Sequence, residues 1–125
     1  MCKRMNNNHL PVFLQIVSDI EEKILSQKIK PGEKLLSVRE YGVHFGINPN
    51  TVQKAYTLLE EKGLTENKRG LGTFVSENPI LFKEKRLQKG KDITRQFIEK
   101  MDALGFPYEE CVQLMEELKS ETKNK

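Results

Sequence analysis

The chain has 125 residues, a mass of 14.5 kDa and a formal net charge of +3 at neutral pH. That length allows one small domain with an appendage but not two domains with separate large cores, and no apolar run approaches the length of a membrane span. A pI near 8.8 is compatible with nucleic acid without requiring it, so the distribution of charge has to decide.

Residues 1–9, with the run Asn6-Asn7-Asn8, hold too little apolar content to fold and are expected to form a disordered tail without the apolar core of a signal peptide. From Pro11, the residues Phe13, Ile16, Val17, Ile20 and Ile24 follow the helical period, with Asp19, Glu21, Glu22 and Lys23 mostly outside. This first helix is expected to end near Gln27 or Lys28, before a Pro31-Gly32 turn and a short extended piece at Lys34-Leu35. Ser37-Val38-Arg39-Glu40 has the S-x-x-E form of a capping box, flanked by Leu36 and Tyr41 at staple positions. The helix it opens is short, because Gly46 suits a left-handed C-terminal position.

A third helix follows at once. Asn48 is a favoured N-cap, Pro49 suits the first helical position, and Ile47 can close on Val52 as a hydrophobic staple. Val52, Ala55, Tyr56 and Leu59 then fall on one side, while Asn50, Gln53, Lys54 and Thr57 fall on the other. Asn and Gln carry a donor and an acceptor that match adenine in the major groove, Lys reaches guanine or phosphate, and Thr can bond or meet a thymine methyl. On its own, such a face is equally compatible with bare solvent. Two helices joined by a tight glycine turn nevertheless form the helix-turn-helix pattern, with this third helix in the reading position.

Beyond Gly63 the character changes. Leu64 to Asn67 and Thr73 to Ser76 are short stretches of β-formers around Lys68-Arg69-Gly70-Leu71-Gly72, a hairpin with a basic tip. Its glycines let the backbone approach a phosphate, and Lys68 and Arg69 supply charge, although a solvated turn would look the same.

Residues Pro11 to Val75 resemble the winged helix-turn-helix domain of the GntR family of bacterial transcription regulators. The resemblance rests on Pro11-Val12-Phe13-Leu14-Gln15-Ile16, Pro31-Gly32-Glu33-Lys34-Leu35 and Ser37-Val38-Arg39-Glu40. It continues through Asn48-Pro49-Asn50-Thr51-Val52-Gln53-Lys54-Ala55-Tyr56, Leu58-Leu59-Glu60-Glu61-Lys62-Gly63-Leu64 and Gly70-Leu71-Gly72-Thr73-Phe74-Val75. Leu36 departs from the proline usual before the serine, and Tyr41-Gly42 from a common Leu-Ala, both at packing positions. The resemblance implies that Arg39 contacts DNA from the second helix, that Asn48, Asn50, Thr51, Gln53 and Lys54 face the major groove or its phosphates, and that Gly70 lies close to the minor groove. With the basic wing added, the candidate DNA-binding set is Ser37, Arg39, Asn48, Asn50, Thr51, Gln53, Lys54, Lys68, Arg69, Gly70 and Gly72.

After Asn78-Pro79 the chain turns basic at Lys83, Lys85, Arg86, Lys89 and Lys91, a run read as solvated surface. A patterned helix with Ile93, Phe97, Met101 and Leu104 follows, broken by Gly105-Phe106-Pro107, and then a last helix with Tyr108, Cys111, Met115 and Leu118 on one stripe. Two such helices cannot bury both stripes in isolation and must pack on the domain or on another copy; the second is favoured, which makes these eight residues the expected dimerisation surface, with Cys111 a buried small hydrophobe. So short a helical tail is similar to the YtrA subfamily, in which it serves mainly for dimerisation.

The expected fold class is therefore mainly α with a small β-hairpin wing: tail 1–9, winged helix-turn-helix domain 10–77 and helical dimerisation region 78–125. The expected function is a dimeric, sequence-specific DNA-binding regulator, a repressor on a palindromic operator, acting in the cytoplasm. Double-stranded DNA and a second copy are its expected partners; no membrane is expected and no effector molecule is indicated. Two readings compete with it: a winged helix that binds only proteins, and a repressor with an effector pocket at the dimer interface. Nothing supports an enzyme or a cofactor. His9 and His44 stand apart from any cluster of ligand spacing, Cys2 and Cys111 lack a C-x-x-C partner as a reducing cytosol would suit, and no nucleophile motif or phosphate loop is present.

Overall fold

In the computed structural model the described residues, 9–123, form five helices and one hairpin, divided into two compact units, Met1–Lys85 and Arg86–Lys125. Apart from His9, the expected tail lies outside the described residues. Helix α1 spans Val12–Leu25 because Ile16, Val17, Ile20 and Ile24 recur at three- and four-residue spacing and all are buried. It stops slightly earlier than expected, at a Ser26 cap, and Gln27 turns left-handed at φ 65°.

Glu21, expected outside, is only 4% exposed. One turn beyond Val17 and one before Leu25, it lies on the inward row of α1, where its carboxylate meets Lys62 Nζ at 3.3 Å. A buried carboxylate needs such a partner, and this one ties α1 to the residue that caps the third helix.

Helix α2, Val38–Phe45, opens on both halves of the expected capping box. Ser37 Oγ accepts the Glu40 N–H at 3.0 Å, and Glu40 Oε1 accepts the Ser37 N–H at 2.8 Å. Gly46 ends it in the left-handed region at φ 68°. Helix α3, Pro49–Glu61, starts where expected, with Asn48 Oδ1 accepting the Asn50 N–H at 2.7 Å. The turn between α2 and α3 is tight. The Ile47 N–H donates to the Gly42 carbonyl at 2.8 Å, and a Cβ at Gly42 would stand 2.6 Å from the Ile47 carbonyl oxygen. Glycine, where the related pattern favours alanine, permits this close backbone approach. Val52, Ala55, Tyr56 and Leu59 are buried on the inner face of α3, against α1 and α2.

Strands β1, Thr65–Lys68, and β2, Gly72–Val75, pair antiparallel and lie one residue away from the expected stretches. Leu64, expected in the strand, is instead wholly buried just before it. The extended piece at Lys34-Leu35 is not isolated: it bridges the free edge of β2 at Lys34 and Phe74. The Leu35 N–H donates to the Thr73 carbonyl at 2.9 Å and the Val75 N–H to the Glu33 carbonyl at 2.8 Å, so the base of the wing is three strands wide.

Helix α4, Pro79–Ala103, begins at an Asn78 cap whose Oδ1 accepts the Leu81 N–H at 3.1 Å, and Phe82 packs on the core of the first unit. The basic run therefore lies within the helix, not ahead of it. None of its 25 residues is buried. Helix α5, Tyr108–Lys123, follows a turn in which the Phe106 N–H donates to the Met101 carbonyl at 3.1 Å. No extended helix-to-helix packing joins α4 and α5 among the described residues. The architecture is mainly helical with a small β wing, as expected.

Candidate nucleic-acid interface

The face of α3 turned away from the core carries Asn50, Gln53, Lys54 and Thr57, all exposed, with Thr51 half-buried beside them. Their side chains are partly arranged in advance. Gln53 Nε2 donates to Thr57 Oγ1 at 3.2 Å, which aligns the amide along the helix and leaves its carbonyl oxygen unused by that bond. Lys54 Nζ lies 4.5 Å from the centroid of the Phe13 ring on α1. A cation over an aromatic face at an exposed site is worth about 0.5–1 kcal/mol, enough to restrain a long flexible side chain. Asn48 is more limited than the sequence implied: its Oδ1 already accepts in the cap, which fixes the amide and leaves its two N–H donors as the groups most available to a groove. That suits a phosphate better than the two-sided edge of adenine.

Ser37 and Arg39 lie at the start of α2, both exposed. The Ser37 hydroxyl accepts within the capping box and keeps its own proton to donate. Hydrogen bonds from the Ser37 backbone and side chain hold the Glu40 carboxyl below its ordinary value, so this carboxylate is engaged in the cap. Arg39 forms no ion pair among the described residues.

In the wing, Lys68 ends β1 with its Nζ 4.9 Å from the Phe74 centroid. Arg69 and Gly70 form the exposed turn, closed by the Leu71 N–H donating to the Lys68 carbonyl at 2.8 Å. Gly70 and Gly72 have φ of 77° and 124°, conformations that side chains rarely adopt. Because Glu33, Leu35 and Val75 are bonded across the wing base and Ser37 follows directly, the fold connects the wing to the start of α2 and, through the Gly46 turn, to α3. Two contributors were missed from the sequence. Phe13, read as core, also carries Lys54, and Lys34, read as part of a short extended piece without a partner strand, pairs with the wing. The alternation of Lys34 with buried Leu35 was the available signal for a strand edge.

Of the eight residues expected at a dimer surface, Ile93 is 67% exposed, Leu104 73% and Tyr108 77%, with Met115 and Leu118 also exposed. Phe97 and Met101 are half-buried. Cys111 differs. It is buried within its own chain, with Sγ 4.0 Å from the Phe106 carbonyl oxygen, so it supports the connector and not an open stripe.

Residues 13–75 match the family model described as bacterial regulatory proteins, gntR family. The chain belongs to this family. It is 34% identical over 103 residues to the HTH-type transcriptional regulator YhcF of Bacillus subtilis, covering 82% of this chain and 85% of that one. It is 36% identical over 114 residues to the HTH-type transcriptional repressor YtrA of the same organism, covering 90% and 88%. A GntR family transcriptional regulator from Listeria monocytogenes superposes with a TM-score of 0.82 at 32% identity, covering 86% of this chain and 95% of that one. These matches are all longer than the stretch 13–75 matched by the family model and so extend beyond the winged domain, in agreement with the YtrA-like affiliation read from the short tail. This gntR family member is a DNA-binding transcription regulator and not an enzyme. No helix among its described residues is long and apolar enough to cross a membrane.

Proposed function

We propose that this regulator works as a homodimer on a palindromic operator and represses transcription there. The observation that carries the reading is the conjunction of a prepared polar face on α3 with large apolar side chains left open along the tail, Ile93 on α4, Leu104 just after it and Tyr108 at the start of α5 foremost. A helix of 25 residues with none buried gains little from burial on its own and calls for a partner surface. A two-fold pair of chains sets two copies of α3 on one side of a duplex, which a palindromic site matches. In this reading Asn50, Gln53 and Lys54 read bases, Thr51 and Asn48 hold the flanking phosphates, Ser37 and Arg39 hold the backbone from α2, and Lys68, Arg69, Gly70 and Gly72 follow the backbone or minor groove. Repression is favoured by the likeness to YtrA, itself named a repressor. Work on chromosomal DNA assigns it to the cytoplasm.

Selection of binding sites from random duplexes tests the whole reading, since the recovered consensus reports sequence, symmetry and spacing together. An inverted repeat is expected; a single unrepeated site would remove the dimer from the reading. Lys54→Ala should then weaken binding to the selected duplex by about 1–3 kcal/mol if Lys54 contacts a base, and relax selectivity at one position. Unchanged affinity in a mobility-shift series would take Lys54 off the reading face.

A further inference from the structure

Lys34 brings another cation to the wing. Its backbone bridges Phe74 on β2, and residues directly opposite in a sheet share a face. Lys68 stands opposite Gly72, two residues from Phe74 along β2, and so shares that face as well. The Lys34 side chain runs over Gly72: a Cβ there would meet its Cε at 2.8 Å and its Nζ at 3.6 Å. The missing side chain at Gly72 is what gives Lys34 room. From the other side, Lys68 Nζ reaches over the Phe74 ring at 4.9 Å. Two ammonium groups thus approach the same patch of β2, and neither forms an ion pair among the described residues, Glu66 on that face included. Two like charges on one face, neither of them held in a direct ion pair, favour an external anion. The Glu40 carboxyl is held down first by the Ser37 hydrogen bonds and, to a lesser degree, by the charge of Lys34.

We propose that Lys34 is a DNA-backbone contact, acting with Lys68 across Gly72 and Phe74 so that the wing offers a phosphate two ammonium groups. This rests on the reading of the wing as a backbone-following element. The experiment is a salt series of affinity for mixed-sequence duplex DNA, read by fluorescence anisotropy on the full chain. Lys34→Met keeps the methylene packing on Gly72 and removes the charge; Lys34→Gln is a second neutral variant, and Lys34→Arg restores the cation. Lys30→Met is the control for net charge alone, being exposed but outside the paired wing residues. Each neutral Lys34 variant should lower the slope of log K against log salt by about 0.9, so that a fourfold rise in salt costs it roughly 3.5-fold less affinity than the wild type. Lys34→Arg should recover the wild-type slope and Lys30→Met should keep it. A wild type with a steep slope and neutral Lys34 variants that match it would overturn this assignment alone, as would an equal loss in Lys30→Met. A wild type indifferent to duplex at low salt would overturn the DNA reading of the wing as well.

Discussion

Tyr56 joins two parts of the domain with one side chain. Its ring meets Tyr41 edge-on with centroids 6.0 Å apart, and its hydroxyl donates to the Leu36 carbonyl at 2.7 Å. Burial pushes the phenol above its ordinary value, so the proton stays in place and the donor role holds across the physiological range. Tyr56→Phe keeps the ring and removes the bond; the expected loss is about 1 kcal/mol, seen as a lower urea midpoint with an unchanged slope. Gly42 sets a stricter limit. Alanine is the better helix former by up to about 1 kcal/mol, yet its Cβ would stand 2.6 Å from a backbone oxygen that cannot swing aside. Gly42→Ala should therefore destabilise by about 1–3 kcal/mol net, and a thermal midpoint at or above the wild type would show that the turn has slack. Tyr56 was legible as a member of the buried row of α3, but its hydroxyl partner, twenty positions away, was not. Glu21 was misread for a related reason. Its chemistry pointed outward while its place in the helical row pointed inward, and only the distant Lys62 made the inward place tenable.

The ends of elements were the most readable features wherever their signals are local. Ser37 with Glu40, Gly46, and Asn48 with Pro49 each act within one turn, and each forms the cap its residue types imply. A feature that needs two distant stretches was lost, the Lys34–Phe74 bridge, and each strand of the wing lies one residue nearer the hairpin tip than the β-formers suggest. The start of α4 was missed although Asn78 is a good local cap, because the lysine run hides any apolar period. The capping box permits a test at this scale. The Glu40 carboxyl has a folded value below its unfolded one, first through the Ser37 backbone N–H and then through the hydroxyl. Its contribution is complete above the ordinary carboxylate range and is lost as pH falls through the folded value. Glu40→Gln can keep the box bonds without the charge. Urea titrations should find the wild type more stable than this variant at neutral pH and the difference closing in acid; a difference that widened would have the wrong sign.

At the scale of the molecule, the helical tail was legible as two apolar stripes but not as a packed object, because a single chain does not contain the surface that would cover them. The exposed Ile93 and Leu104 on and just after α4 permit a direct check. In the proposed dimer the wild type should sediment as a pair of chains and a double variant, Ile93→Asp with Leu104→Asp, as a monomer. Its affinity for the selected operator should fall by about a hundredfold or more, since two linked half-site contacts become one. A variant that stays dimeric would assign those side chains another purpose. Within the first unit, the bonds of Gly32, Leu35 and Val75 across the wing base carry a further consequence. Amide protons at that base should exchange with solvent only when the three-helix body opens, whereas those at Arg69 and Gly70 exchange through local fluctuation of the hairpin end. A duplex pressing on the tip can thus bend it without loosening the fold beneath.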